Sequence, residues 1–487
     1  MRLSSFSRES EEPTGLTGNP ARDLARSFNI RVILFLSLHF PLAIGMELSP
    51  WVSTAHALLA LLFGLRAALL GRTSQVVYAV VYISAAEVLW RMSRANLLWE
   101  YSKYAVVAVI FVAMVVEWGR NRETRRLRSV WPVLLFLTLV PATVMAILYY
   151  SPAELRDVLS FNLSSYAALL ALGLYLWARP INRHTTIRLL LALIAPIVGI
   201  TFLAIYYTIT DLDSLIFLGA ANWVTSGNYG PNQVSNMMGL GALTGVMLFV
   251  LIPRAWGARI FILILTLAML GQGLLTFSRG GIYSFTLALA AFGFHLMSTP
   301  RARRRFLVLF TLFGAILLVF VYPLLDEFTG GSLTDRFSSL DTTGRLEAAM
   351  TDLDVFRNNP AVGVGVGRST EYHATIEGIS LAAHTEYTRL LAEHGLFGIL
   401  TIVVLIWMLA TRYLANHSGL GRAMTAALAV WALSIMAHSA MRLAVIPLAI
   451  ALGFVWWRMN AAVEDESETE PQPEPKPGVA PSLPAHH

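Results

Sequence analysis

Cysteine is absent from the 487 residues, which excludes a disulfide framework, a thiol nucleophile and a thiolate metal site. Lysine is nearly absent: Lys103 and Lys476 stand alone, so guanidinium is the main cation available to a phosphate. Charge is scarce, with 14% of residues charged against about 25% in an ordinary soluble domain. Hydrophobic residues make up 56% of the chain, so hydrocarbon rather than water is its expected solvent. The net charge of +6 does not indicate nucleic acid. The cations lie in short clusters between apolar runs, not on one continuous basic face.

The stretch 1–29 lacks an apolar core and contains Glu9, Glu11 and Glu12. It fits neither a signal nor a transit peptide and is expected to be a cytoplasmic tail. Residues 459–487 combine acidic residues with repeated proline, a composition that cannot bury enough surface to offset ordering, so disorder is expected there.

Between the tails, apolar runs long enough to cross about 30 Å of hydrocarbon fall near 30–47, 52–70, 75–90, 101–118, 130–149, 163–178 and 187–208. Others fall near 236–252, 258–277, 281–297, 304–322, 396–413, 422–438 and 441–457. The pattern predicts an all-α polytopic membrane protein of twelve to fourteen spans. Arginine clusters mark alternate loops (Arg66/Arg72, Arg120 to Arg128, Arg179 to Arg188, Arg254/Arg259, Arg301 to Arg305, Arg412/Arg422, Arg458), which places both termini in the cytoplasm. Four segments then face outside: Arg91 to Lys103, Thr210 to Asn236, Ser278 to Gly281, and a long loop after Tyr322. The expected units are tail 1–29, spans 30–322, a helical outer loop 323–395, spans 396–458 and tail 459–487.

Within the loop, Leu346, Met350, Leu353 and Phe356 recur at helical spacing behind possible N-caps Asp341 to Thr343. Asn358, Asn359 and Pro360 stop that helix, and Gly363, Gly365 and Gly367 permit a tight turn. A second helix is expected from about Leu381 to Gly395, with His384, Tyr387, Leu391 and His394 on one face.

Several residues could do chemistry. An imidazole has an unperturbed pKa of about 6.5, so His384 could accept a proton from a sugar hydroxyl without a metal, although lone interfacial histidines are common. Arg279, in Thr276-Phe277-Ser278-Arg279-Gly280-Gly281, either snorkels at a membrane edge or grips phosphate oxygens in the room its glycines leave. Arg345 begins a helix whose free N–H groups also favour an anion; the plainer reading is a solvated charge. Glu87 and Arg91 are four apart, so an ion pair is their first explanation and binding the second. Arg94, Lys103 and Tyr104 lie nearby, and His438 and Arg442 share the last outer turn. Asp352 and Asp354 point to different helix faces and chelate poorly. Asp211 and Asp213 are better placed for a metal, with ordinary polar residues at a membrane exit as the competing account.

Five local patterns in order resemble the O-antigen ligase and polymerase superfamily. They are Gly230-Pro231-Asn232-Gln233, Thr276 to Gly281, Thr343-Gly344-Arg345-Leu346-Glu347, Asn359-Pro360 with Gly363 to Gly367, and His384-Thr385-Glu386-Tyr387 with Gly395-Leu396-Phe397-Gly398. They cover about residues 230–400. The family often has His-Asn where this chain has His384-Thr385. The resemblance implies a GT-C-like membrane glycosyltransferase of the Gram-negative inner membrane, with its site facing the periplasm. It implies an undecaprenyl-diphosphate-linked O-antigen donor and a lipid A core acceptor, with membrane lipids around it, no cofactor and no metal. His384, Arg279 and Arg345 would be catalytic; Arg91, Arg94, Lys103, Asn232, Tyr387, His438 and Arg442 would bind substrate. An O-antigen polymerase, a protein O-oligosaccharyltransferase and a lipid-linked glycan transporter are the alternative readings.

Overall fold

The computed structural model describes residues 20–120, 128–217, 219–252, 255–297, 300–339, 345–373, 375–376, 379–380 and 385–459. The tail 1–19, the acidic tail from residue 460, Asp341 to Thr343 and His384 lie outside the described residues.

The described residues are helical almost throughout. Its first half forms α1 (Pro20–Ser37), α2 (His39–Leu48), α3 (Pro50–Leu69), α4 (Thr73–Met92), α5 (Tyr101–Arg120), α6 (Trp131–Leu137), α7 (Val140–Tyr149), α8 (Pro152–Leu176) and α9 (Arg183–Thr210). Local chemistry sets several starts. Proline opens α3 and α8, and a reciprocal Ser151–Glu154 capping box closes the first turn of α8. The side chain of Asn182 accepts from Thr185 N–H at 2.8 Å and caps α9.

The second half forms α10 (Pro231–Leu251), α11 (Trp256–Leu275) and α12 (Arg279–Leu296). Next, α13 (Pro300–Ala315) runs through a π-helical segment, Ile316–Val321, into α14 (Tyr322–Phe328). Helix therefore continues past Tyr322, where the sequence pattern put the loop. The loop carries α15 (Ser332–Ser338), α16 (Arg345–Asn358) and α17 (Glu386–His394), and α18 (Leu396–Ala415), α19 (Gly419–Met436) and α20 (Val445–Leu452) follow. The described residues also include four short strands. β1 (Pro180–Asn182) pairs in parallel with β4 (Trp456–Arg458), and β2 (Thr375–Ile376) pairs antiparallel with β3 (Ile379–Ser380).

Among the described residues, twelve helical stretches are long and apolar enough to cross a membrane, the lower end of the expected range. Of the fourteen apolar runs, 281–297 and 441–457 are not among them. The first is α12, which opens on Arg279 and ends near His295. Its 18 residues still reach about 27 Å, and it packs along α19 and α10. The second is not a membrane helix of full length. Only Val445–Leu452 is helical, and the backbone then extends into β4. This is tolerated because Leu443 to Val455 are buried inside protein, where neighbours rather than lipid satisfy the backbone.

The core runs through α4, α9, α10, α12, α19 and α20. The outside of the bundle carries exposed Leu34, Leu59, Leu62, Phe111, Leu148, Phe294, Val319 and Val403, an apolar girdle of the kind that hydrocarbon covers.

Candidate functional site

The turn between α11 and α12 anchors the site. Phe277 adopts φ +57°, a left-handed conformation that is costly for a bulky residue. Its ring is fully buried and stacks on Phe217 at 5.2 Å between centroids. The reversed turn sends Ser278 to the N-cap of α12, but its hydroxyl donates to Asn232 Oδ1 at 2.7 Å and makes no cap bond to the helix. Asn232 sits in the first turn of α10 because Pro231 starts that helix ahead of the apolar run.

Two glycines let α12 come this close. A Cβ on Gly281 would meet the Ser235 carbonyl oxygen at 2.1 Å, and one on Gly280 would meet the His438 ring at 2.3 Å. Ser235 Oγ also donates to the Ser278 carbonyl at 2.7 Å. The start of α12 is thus clamped against α10 on one side and the turn after α19 on the other.

Three arginines converge there. Arg279 Nη1 donates to the carbonyls of Arg336 (3.3 Å) and Ser339. Arg336, buried in α15, donates from Nε to the Phe277 carbonyl at 3.2 Å. Arg345, at the start of α16, donates from Nη2 to Asn232 Oδ1 at 3.2 Å. Burial, then the charges of Arg336 and Arg279, hold the Arg345 pKa below its ordinary value. Mutual repulsion of this kind is relieved by an anion. Arg336 was not singled out by its sequence pattern, because one arginine in a seven-residue helix carries no motif.

His438 joins the group from the far side. Its Nε2 lies 3.2 Å from Ser284 Oγ. Burial, with Arg345 next, lowers its pKa to about 4, so it is a neutral imidazole near pH 7.

The other expected binding residues lie in a second, charge-balanced region. Arg91 meets Glu87 at 2.7 Å and Glu100 at 3.6 Å, and its guanidinium lies over Trp99. Lys103 is fully buried against Glu100. The Glu87–Arg91 pair proposed from i,i+4 spacing is therefore formed. Arg94, exposed and at φ +53°, stands outside these pairs. On α17, Arg389 bridges Glu386 (2.5 Å) and Glu393 (3.1 Å). Tyr166 O–H and Met441 N–H donate to the two oxygens of Glu386 at 2.6 and 2.9 Å. Burial alone raises the Glu386 pKa, but Arg389 and these donors hold it below the usual carboxylate range. Arg442 packs over Phe161, with Arg389, Glu386, Glu393 and Glu100 as its charged neighbours. Tyr387 uses its hydroxyl to donate to the Leu433 carbonyl at 2.9 Å.

The loop elements are fastened by a feature the pattern did not reveal. Asp352 is buried, with His373 Nε2 at 2.8 Å from Oδ1 and Thr388 Oγ1 donating to Oδ2 at 2.8 Å. One carboxylate thus ties α16 to the segment before β2 and to α17. Asp354 points out and pairs with Arg357 at 2.8 Å, so the two acids do face apart. Gly363 and Gly365, both at positive φ, bring Val364 and Gly365 N–H onto the Ala392 and Glu393 carbonyls at 3.0 Å. His394 is buried beside Arg389 rather than facing an open site; burial, then that charge, lowers its pKa to about 3. The side chain of Thr385 accepts from Thr388 N–H at 3.1 Å and caps α17. His384 itself, the preceding residue, lies outside the described residues.

Residues 264–403 match the family model described as O-antigen ligase, which supports membership of the O-antigen ligase superfamily. The matched segment holds Arg279, Arg336, Arg345 and His384, while Asn232 and His438 lie beyond its ends. No curated protein matches the chain.

Proposed function

We propose that this protein is a glycosyltransferase that moves a glycan from undecaprenyl diphosphate to a sugar hydroxyl of the lipid A core, at the periplasmic face of a bacterial inner membrane. The observation that carries this reading is the meeting of Arg279, Arg336 and Arg345 around Asn232 at the start of α12. Guanidinium forks and a helix start make a site for a dianionic, bidentate ligand, and a diphosphate has that chemistry. The apolar flank of the bundle gives its prenyl chain a sideways route from the bilayer.

In the proposed reaction the acceptor hydroxyl oxygen attacks the anomeric carbon. The carbon–oxygen bond to the diphosphate breaks, and its electron pair leaves with the phosphate. The arginines stabilise the charge that accumulates there. His384 takes the hydroxyl proton. A single displacement inverts the anomeric centre and needs no metal. His438, held neutral beside Arg345, is placed to hydrogen-bond the donor. Arg91, Lys103 and Arg442 act mainly as counter-charges that hold the outer ends of α4, α5 and α17, because carboxylates surround each of them.

The test is reconstitution with carrier-linked O-antigen and lipid A core. His384→Ala and Arg279→Ala are each expected to lower transfer by about a hundredfold or more. Wild-type rates from His384→Ala would remove the assigned base, and undiminished activity with a chelator present would remove the metal reading of Asp211/Asp213. Offering a second carrier-linked glycan as acceptor separates a ligase from a polymerase.

A further inference from the structure

At the other end of the bundle, α1, α3, α4 and α9 enclose a groove of about 610 Å³, within the range of ligand pockets in general. Its walls are apolar, and it opens sideways: Phe35, Leu59 and Phe63 on its rim are exposed on the flank of the bundle. Among the described residues, no acidic residue lines it. Arg31 on α1, with His184 and Arg188 in the first two turns of α9, line it. Arg31 and Arg188 are exposed and form no ion pair or hydrogen bond among the described residues.

Two observations fix which way a ligand would lie. The first is position along α9. Arg188 is in the second turn of that helix, whereas Thr208, near its other end, accepts from Gln272 Nε2 at 2.8 Å beneath the α11–α12 turn. Twenty residues of helix separate the two, roughly 30 Å, the thickness of the hydrocarbon. The arginine end therefore lies at the membrane edge opposite Arg279, out of reach of a diphosphate held there. The second is the chain of hydrogen bonds at the deep end. Trp90 Nε1 donates to His56 Nδ1 at 3.0 Å, and Tyr82 Oη lies 3.1 Å from His56 Nε2 and 2.9 Å from His39 Nε2. His39 Nδ1 meets the Phe35 carbonyl at 3.0 Å. Indole only donates and a carbonyl only accepts, so one proton per link satisfies the chain with both imidazoles neutral. The deep end offers no charge.

We propose that this groove is a binding site for one anionic glycerophospholipid of the leaflet opposite the transfer site. Its phosphate lies between Arg31 and Arg188, and an acyl chain runs inward toward His56 and Tyr82. A polar, charged mouth and a neutral depth match a lipid lying head to tail, with one of its two acyl chains in the groove and the other on the flank of the bundle. The site is independent of the transfer reaction, since none of its residues belongs to the arginine cluster around Asn232.

The full chain in detergent micelles, titrated with dioleoylphosphatidylglycerol or dioleoylphosphatidylcholine and read by native mass spectrometry and melting temperature, tests this. The expected result is one saturable phosphatidylglycerol adduct that raises the melting temperature, with phosphatidylcholine weaker by roughly tenfold or more. Arg31→Gln/Arg188→Gln, both at exposed positions, should abolish that preference, and Leu59→Trp should displace the adduct by filling the groove. Equal binding of the two lipids, or an unchanged preference in the double variant, overturns the proposal. Displacement of phosphatidylglycerol by undecaprenyl diphosphate at equal concentration overturns it as well, because the groove would then belong to the carrier.

Discussion

A methyl group on Gly281 would press into the Ser235 backbone, whereas the same group on Gly280 would press into the His438 side chain. Backbone cannot step aside and a side chain can, so the two substitutions should separate stability from chemistry. Gly281→Ala is expected to cost about 1–3 kcal/mol and lower the melting temperature. Gly280→Ala should melt near wild type yet transfer poorly, because His438 is turned out of its place. Equal effects of the two on both assays would remove the positional argument. Histidine protonation sets a second residue-scale expectation. His438 and His394 have folded-state pKa values near 4 and 3, below the unfolded value of about 6.5. Below about pH 6.5 the unfolded chain therefore binds more protons than the folded one, and stability falls as pH drops. Melting temperature should decline from pH 7.5 to pH 5, and more shallowly in His394→Gln. At this scale the sequence was partly legible. Arg279 and Arg345 stand in recognisable local patterns, and Glu87–Arg91 follows from helical spacing. Arg336 reaches the site only through the fold, and its neighbours in sequence say nothing of Phe277.

Among elements, α16 and α17 matter most, since one begins at Arg345 and the other begins two residues after His384. Asp352 is the tie between them. Asp352→Ala should leave the membrane helices melting as before while the loop becomes a protease target and transfer falls at least tenfold. Retained protection and full transfer would mean that the two helices hold their places without it. Periodicity and breakers predicted both helices, but the second begins at Glu386, behind the extended cap residue Thr385, and not at about Leu381, so His384 precedes the helix instead of sharing its face. The sequence did not reveal the tie, because a buried Asp–His contact between residues 21 apart has no periodic signature. The same limit explains the last apolar run. Residues 441–457 are apolar enough to read as a span, but their burial in protein rather than lipid frees them from helical regularity.

For the whole molecule, the proposed orientation puts α16 and the turn between α18 and α19 on opposite sides of the membrane. The absence of cysteine makes this simple to measure. An impermeant maleimide on sealed vesicles exposing the proposed periplasmic face should label Asp354→Cys directly, and His417→Cys only after permeabilisation. The opposite pattern would invert the assigned topology. The all-helical architecture was legible because span length and apolarity are set by the bilayer alone, whereas which helices sit inside the bundle depends on partners distant in sequence.

The final crossing, from α19 to β4, bears on how the chain is assembled. With eight helical residues, this segment exposes too much bare backbone to wait alone in lipid. Glu87 accepts the Ala444 N–H at its entrance, and β1, made some 270 residues earlier, receives β4 at its exit. Its berth exists only once the preceding helices have gathered, so it goes in last, like a keystone. A nascent chain cut short before it would leave the bundle with an open seam through its middle, and cellular quality control could read that seam as the mark of an unfinished protein.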